Sequence, residues 1–219
     1  MNNPSTDNPT DGTGSHYFDP SPTSPSHTSE FTIVVAGRTL VLESDAGVFS
    51  SHGLDKGTAV LLEWVQQHSP VMDDTHQNLC DLGCGSGPIA LVMAVLYPQC
   101  TVYALDINER ARLLCTENAR RNNLTNIIVA HPDEVDTTTS FALLWSNPPI
   151  RIGKRELHEL LTTWLTRLLP DGLAHLVVSK NLGADSLTTW LNDQGYPTMK
   201  KASSKGFRIL EVAPQSHSM

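Results

Sequence analysis

Hydrophobic and polar positions along this chain follow two different rhythms, and the changes between them mark the elements. Residues 31–36 and 39–43 are short runs rich in β-branched and aromatic side chains around Gly37-Arg38, which predicts a β-hairpin. A loop follows at Gly47-Val48-Phe49-Ser50. Val60, Leu61, Trp64 and Val65 then recur at helical spacing, and Asp55 stands where a helix cap belongs. Residues 68–78 are polar and read as a loop. Beyond them the rhythm alternates. Strands are predicted at 78–81, 101–106, 126–130, 141–145 and 173–178, and helices at 88–97, 108–122, 154–169 and 185–193, the last entered through Gly183. Residues 196–200 and 207–212 close the chain as a strand pair. Short apolar strands alternating with amphipathic helices predict an α/β fold with a mostly parallel sheet covered on both faces. The closing pair predicts an antiparallel edge. No internal repeat is visible.

Residues 1–30 fit neither rhythm. They hold 5 Pro, 6 Ser and 5 Thr, too little apolar surface to offset the entropy of ordering, so a mostly disordered tail is expected there. His16-Tyr17-Phe18 is its one aromatic patch, either docked on the domain or without a partner. Residues 31–219 are then expected to form one domain, long enough for a substantial core. No apolar run approaches the ~20 residues of a membrane span, and the start lacks the basic and apolar regions of a signal peptide. The four cysteines (80, 84, 100 and 115) form no C-x-x-C and read as reduced, buried thiols of a cytoplasmic protein. The nine histidines show no ligand spacing, so no metal site is expected.

Net charge changes the picture. A total of −8 argues against a polyanionic partner, but residues 1–150 carry 6 Lys+Arg against 17 Asp+Glu, while residues 151–219 carry 9 against 6. The last third is the positive part, and a local patch matters more to a phosphate backbone than the sum does.

The candidate chemistry begins at Asp81-Leu82-Gly83-Cys84-Gly85-Ser86-Gly87, set between a predicted strand and a predicted helix. Glycines at 83, 85 and 87 permit a tight turn with positive φ and let main-chain N–H groups approach a ligand at a helix N-terminus. The dinucleotide fingerprint is G-x-G-x-x-G. Here the spacing is G-x-G-x-G with an acid before it, which fits a nucleoside carrying a cationic amino-acid tail better than a pyrophosphate. Nothing in the chain suggests a hydride-transfer partner either. Asp106 ends the next strand, near the ~20-residue spacing at which an acid bonds ribose hydroxyls in nucleotide folds. The other reading of Asp106 is a helix N-cap.

These residues resemble a family. Asp81 to Gly87 is similar to the first motif of the class I S-adenosylmethionine-dependent methyltransferases, and Asn147-Pro148-Pro149 resembles the fourth motif of those that methylate nitrogen. From about Tyr17 onward, the H-Y-F included, the chain resembles the methyltransferase small domain proteins that act on guanine N2 of small-subunit ribosomal RNA. The resemblance implies a Rossmann-like sheet of about seven strands with an antiparallel edge and an N-terminal hairpin. It implies S-adenosylmethionine as cofactor, bound by Asp81, Gly83, Gly85, Gly87, Asp106 and Ile107, with Asn147 beside it. Phe49 and Asp55-x-Gly57-Thr58 would line the methionine end, or Asp55 would only cap its helix. Asp133 would meet the adenine amino group, or be a loop acid.

Asn147, Pro148 and Pro149 would be catalytic. A guanine N2 amine is a poor nucleophile because its lone pair is delocalised into the ring. The Asn147 side-chain carbonyl and the Pro148 backbone carbonyl can accept its two N–H groups and favour a pyramidal nitrogen, and two prolines stiffen the loop. Positioning does most of the rest. Many nitrogen methyltransferases place an aromatic residue next; this chain has Ile150, which forgoes some of the ~1–3 kcal/mol that stacking on a base supplies. Arg151, Lys154 and Arg155 would grip phosphates or cap a helix start. Lys180, before Asn181-Leu182-Gly183-Ala184-Asp185, is similar to a family segment and would face RNA. Lys200, Lys201, Lys205 and Arg208 would extend that surface or solubilise edge strands. The four arginines at 110, 112, 120 and 121 read mostly as a solvated face. Some relatives carry an extra N-terminal domain of the same fold, so here recognition of ribosomal RNA or the small ribosomal subunit would fall to the catalytic domain or a partner. The rival readings are another amine or amide acceptor (protein glutamine, DNA or another RNA base) and a non-catalytic RNA- or ribosome-binding module.

Overall fold

The structure, a computed structural model, describes residues 28–45, 53–68, 70 and 77–215, the side chain of Arg151 excepted. His16-Tyr17-Phe18, Phe49 and most of the expected 68–78 loop lie outside the described residues. In chain order the elements are β1 (Thr28–Val35), β2 (Arg38–Asp45), α1 (Lys56–His68), β3 (Asn78–Leu82), α2 (Pro88–Leu96), β4 (Thr101–Leu105), α3 (Glu109–Arg121), β5 (Ile127–Ala130), β6 (Phe141–Ser146), α4 (Lys154–Leu165), β7 (Leu168–Ser179), α5 (Ala184–Asp193), β8 (Thr198–Ser204) and β9 (Phe207–Val212).

Seven strands make one sheet in the order β5-β4-β3-β6-β7-β9-β8. The first five are parallel. The expected antiparallel edge is there: β9 runs against β7, and β8 completes the edge against β9. The central strands are mostly apolar because both faces are covered, and the polar residues buried in them, Asp81 and Ser146, lie toward their C-terminal ends. Leu79, Leu143 and Trp145 face a core shared with the hairpin, α1, α2 and α3, while Cys80, Leu82 and Leu144 face a second core under α4 and α5. All four cysteines are buried. Parallel pairing carries the C-terminal ends of β3, β4, β5 and β6 to one edge, where such sheets bind ligands.

The hairpin turns at Ala36 and Gly37, both with positive φ (48° and 74°), the geometry that matches the strand twist of a two-residue connection. Two strands alone are marginal in water. Ile33, Val35, Leu40 and Leu42 instead enter the first core, and α3 clasps the free edge of β2. Here the arginines differ from the expectation. Arg110 bonds Asp45 at 2.5 Å, Arg121 bonds Glu43 at 2.7 Å, and Arg112 donates to the carbonyls of Asp106 and Ile107 at 2.9 Å each. Among the described residues, Arg120 is held only by a helix neighbour, Glu117.

Two boundaries also move. The helix expected over 154–169 stops at Leu165, because Phe141 N–H donates to the Arg167 carbonyl and Leu168 pairs with Phe141, which draws this stretch into the sheet. Pro170 also disfavours helical backbone at Leu169. The strand expected at 196–200 begins at Thr198, since Tyr196 N–H closes the end of α5 on the Leu191 carbonyl and its ring fills the second core.

Candidate active site

The glycine loop joins β3 to α2. Gly83, Gly85 and Gly87 all take positive φ (79°, 55° and 90°). At Gly87 the reason is doubled, since a Cβ would lie 2.6 Å from Cys115 Sγ. A Cβ on Gly83 would meet nothing, because this side opens on a cavity. Asp81, fully buried, accepts the Ala90 N–H at 2.9 Å through Oδ2, while Oδ1 has no hydrogen-bond partner among the described residues. Burial, above all, pushes its carboxyl up to about 8. Asp106, at the end of β4, accepts Gly85 N–H through Oδ2 and Asn108 N–H through Oδ1, each at 2.9 Å. Burial raises its pKa too, opposed by those N–H groups. The cap of α3 is Asn108, whose side chain accepts from Arg110 and Ala111, so Asp106 keeps lone pairs for a ligand.

The cavity beside Gly83 has a volume of about 370 Å³. Asp106 and Ile107 form one side, Pro132 and Pro149 the next, and Ile152 with Leu160 a third. Ile107 lines the cavity. Asp133 does not line it: its side chain is 92% exposed, next to His131, and its neighbour Pro132 faces the cavity. The α4 wall, including Glu156, Glu159 and Thr163, escaped the sequence reading. Its only trace there is a helix that directly follows the Asn-Pro-Pro loop.

Asn147 leaves the end of β6 with its amide fixed. Nδ2 donates to Asp55 Oδ2 at 2.8 Å and to Thr58 Oγ1 at 3.1 Å. Both hydrogens of the amide are used, which turns Oδ1 the other way. Asp55 Oδ2 also accepts Thr58 N–H at 3.0 Å, so one carboxylate caps α1 and orients Asn147. Gly57 is closely packed, since a Cβ would sit 2.9 Å from the Phe207 ring and 3.1 Å from Asp55 Oδ2, and one of these side chains would have to shift. Below the loop, Ser146 Oγ donates to the Leu82 carbonyl at 2.7 Å. Trp145 Nε1 donates to His175 Nδ1 at 3.1 Å, and His175 Nε2 faces Glu211 at 3.1 Å. The Pro148 carbonyl already accepts Ile150 N–H at 2.8 Å, which leaves it one lone pair.

Ile150 lines a small notch of about 160 Å³ with Lys154, His158, Val178 and Leu182. Lys154 and Lys180 are exposed, at the start of α4 and the end of β7. Arg155 is ion-paired with Glu156 and Glu159, Lys201 with Glu211, Lys205 with Glu63, and Arg208 with Asp185. The free positive surface near the loop is therefore narrower than the charge count implied.

Compared with known proteins, residues 39–211 match the family described as Methyltransferase small domain. Uncharacterized protein YbxB of Bacillus subtilis (strain 168) is 30% identical over 200 residues, covering 90% of this chain and 97% of that protein. Ribosomal RNA small subunit methyltransferase C of Shewanella piezotolerans is 30% identical over 158 residues, 70% of this chain and 44% of that protein. The chain thus spans less than half the length of the latter relative. Among solved structures, the Thermus thermophilus 16S rRNA N2 G1207 methyltransferase, in complex with AdoMet and guanosine, matches with a TM-score of 0.73 and 21% identity, covering 89% of this chain and 52% of that one. A ribosomal protein L11 methylase from Lactobacillus delbrueckii matches at 0.59 and 19%, covering 74% and 81%. At these identities the structural likenesses speak for the fold alone.

Proposed function

The chain belongs to the methyltransferase small domain family, which is S-adenosylmethionine-dependent, and from that premise we propose that it methylates an exocyclic amine, guanine N2 of 16S ribosomal RNA. The observation that carries the reading is the Asn147 amide, held by Asp55 and Thr58 so that its carbonyl oxygen faces away from both.

The site fits the cofactor. The unpartnered Asp81 Oδ1 is a buried acceptor in want of a cationic donor. Asp106 retains lone pairs for two ribose hydroxyls, and Ile107, Pro132 and Pro149 give the cavity apolar walls for a purine. When bound, the cofactor supplies a methyl group on a sulfonium sulfur. Asn147 Oδ1 and the remaining lone pair of the Pro148 carbonyl accept the two N–H groups of the incoming amine and hold its nitrogen pyramidal. Because Nδ2 is already committed, this acceptor is preorganised and needs no reorientation as charge develops. No strong base is required, since the methylated nitrogen is acidic and sheds its proton afterwards.

The ribosomal substrate rests on the relatives' names and on Lys154 and Lys180 near the loop. Labelled-methyl transfer tests it, with ribosomal RNA from cells lacking this protein offered naked and as small subunits, and Asn147→Ala as control. Incorporation into one guanine, abolished by the substitution, is expected. Cofactor binding without incorporation would overturn the ribosomal assignment and direct the search to protein and DNA acceptors.

A further inference from the structure

Asn118 lies in the third turn of α3, fully buried, and spends its whole amide on two other parts of the protein. Oδ1 accepts Glu43 N–H at 2.9 Å. Nδ2 donates to the Glu43 carbonyl at 2.9 Å and to the Ser86 carbonyl at 2.8 Å. One helical turn on, Asn122 repeats the first half of this pattern. Its Oδ1 accepts Val41 N–H at 2.9 Å and its Nδ2 donates to the Val41 carbonyl at 2.8 Å. The spacing is geometric: four helical residues rise ~6 Å, and two strand residues rise ~6.7 Å. The two amides therefore meet successive edge positions of β2 as a neighbouring strand would.

The difference between them lies in the second amide hydrogen. Asn122 returns it to its own helix, at the Asn118 carbonyl. Asn118 sends it into the glycine loop. Ser86 sits between Gly85, whose N–H reaches Asp106, and Gly87, whose positive φ starts α2. One buried side chain thus joins the hairpin to the backbone that would cradle the cofactor.

We propose that Asn118 is a positioning residue for the cofactor: it holds the Ser86 carbonyl and sets the path of Gly85 and Gly87, so that cofactor affinity depends on this tie from helix to loop. This rests on the family's cofactor and not on the RNA assignment. Asn122 is a built-in control, because it makes the same clasp on β2 without touching the loop.

The test uses the full chain with Asn118→Ala and Asn122→Ala, and the gentler Asn118→Asp and Asn122→Asp, which keep an acceptor for the strand N–H but lose the donated hydrogens. S-adenosylmethionine affinity is measured by titration calorimetry, and amide exchange of Cys84, Gly85 and Gly87 by NMR. Both substitutions at 118 are expected to weaken cofactor binding by about tenfold or more and to speed loop exchange by a similar factor, as loss of a buried hydrogen bond would. Both substitutions at 122 should leave each readout within about twofold while lowering the melting temperature comparably. Equal effects at 118 and 122, or no effect at 118, would overturn the coupling. If the native chain bound no cofactor, the cofactor reading would fall, and the exchange comparison would still decide the coupling.

Discussion

Cofactor binding at pH 6.5 should release most of one proton, and the proton should come from Asp81. The carboxyl is fully buried, has one N–H donor on Oδ2 and, among the described residues, none on Oδ1, and is pushed up to about 8 chiefly by desolvation, with the charge of Asp106 adding to it. One and a half units below that value it is only ~3% ionised. A cationic amino group arriving at Oδ1 favours the charged form, and an opposite charge at contact distance lowers a carboxyl by about 1–3 units. In so dry a site the upper part of that range applies, which brings Asp81 to about 5–6 and releases ~0.7–0.9 proton per site. Calorimetric titrations in buffers of different ionisation enthalpy measure that number directly. Asp81→Asn removes the titrating group while anything contributed by Asp106 remains, so the difference between the two proteins isolates Asp81. A release below about 0.2 proton, or one unchanged by Asp81→Asn, would refute the assignment of Asp81 to the cation. The free protein carries the same signature. Because the folded pKa lies above the unfolded value of 3.8, the folded state holds a proton that the unfolded chain loses. Stability therefore falls as pH rises between about 4 and 8, by an amount on the order of 6 kcal/mol at most, and is flat above that window. Thermal melts of Asp81→Asn should lack this slope.

Asp55→Ala removes the charged acceptor of the Asn147 amide and leaves Thr58 alone to orient it. Hydrogen bonds to charged groups contribute about 1.5–3 kcal/mol, so kcat should fall by roughly ten- to hundredfold at saturating cofactor, with cofactor affinity changed much less; an unchanged kcat would remove the orienting role. Gly87→Ala combines left-handed backbone with a Cβ 2.6 Å from Cys115 Sγ, and should cost ~2–5 kcal/mol in denaturant unfolding. Adding Cys115→Ala should recover the steric part, and failure to recover any would mean that backbone strain is the whole cost. His175, buried between Trp145 and Glu211, has its pKa lowered by desolvation against the opposing pull of Glu211. Its folded pKa is below the unfolded one, so it contributes stability that is intact above ~6.5 and lost as pH falls below it. Imidazole nitrogen shifts should show a neutral ring protonated on Nε2 at pH 6.5, and a charged ring there would contradict this. If the acceptor is RNA, Lys154→Ala and Lys180→Ala should each reduce the salt dependence of binding by up to about one ion.

The order of strands and helices was legible because its causes are local. Both-sided burial writes apolar runs, amphipathic helices write their period, and the positive φ values at 83, 85 and 87 leave glycine almost alone as an option. The ends of elements were less legible. α4 stops at Leu165 because Phe141, far back in the chain, takes the backbone of Arg167 and Leu168, and no period in residues 154–169 carries that information. The α3 arginines illustrate the same limit. Their spacing is that of a solvated face, yet three of the four hold β2 or the carbonyls at Asp106 and Ile107. A charge pattern reports where a helix is polar, not whether another element has come to meet it.

The candidate site divides along that line. Its fingerprint is local: an acid before three glycines, an acid ending the next strand, two prolines after an asparagine. Its supports are not. Asn147 is oriented by Asp55 and Thr58, 92 and 89 residues away, and the glycine loop is tied through Asn118 to a strand 75 residues upstream. Asp55 and Thr58 were visible as a helix cap and as a family-like segment, but their bonds to Asn147 were not. Asn118 was visible only as a helix residue with no period of its own. A chain could therefore keep Asp81, Asp106 and Asn147, read as intact in sequence, and still present the wrong end of the Asn147 amide to the substrate if Asp55 and Thr58 were lost. Retention of the fingerprint argues for the cofactor; retention of Asp55 and Thr58 beneath Asn147 is the stronger argument for catalysis, because a module that only bound RNA would gain nothing from fixing that amide.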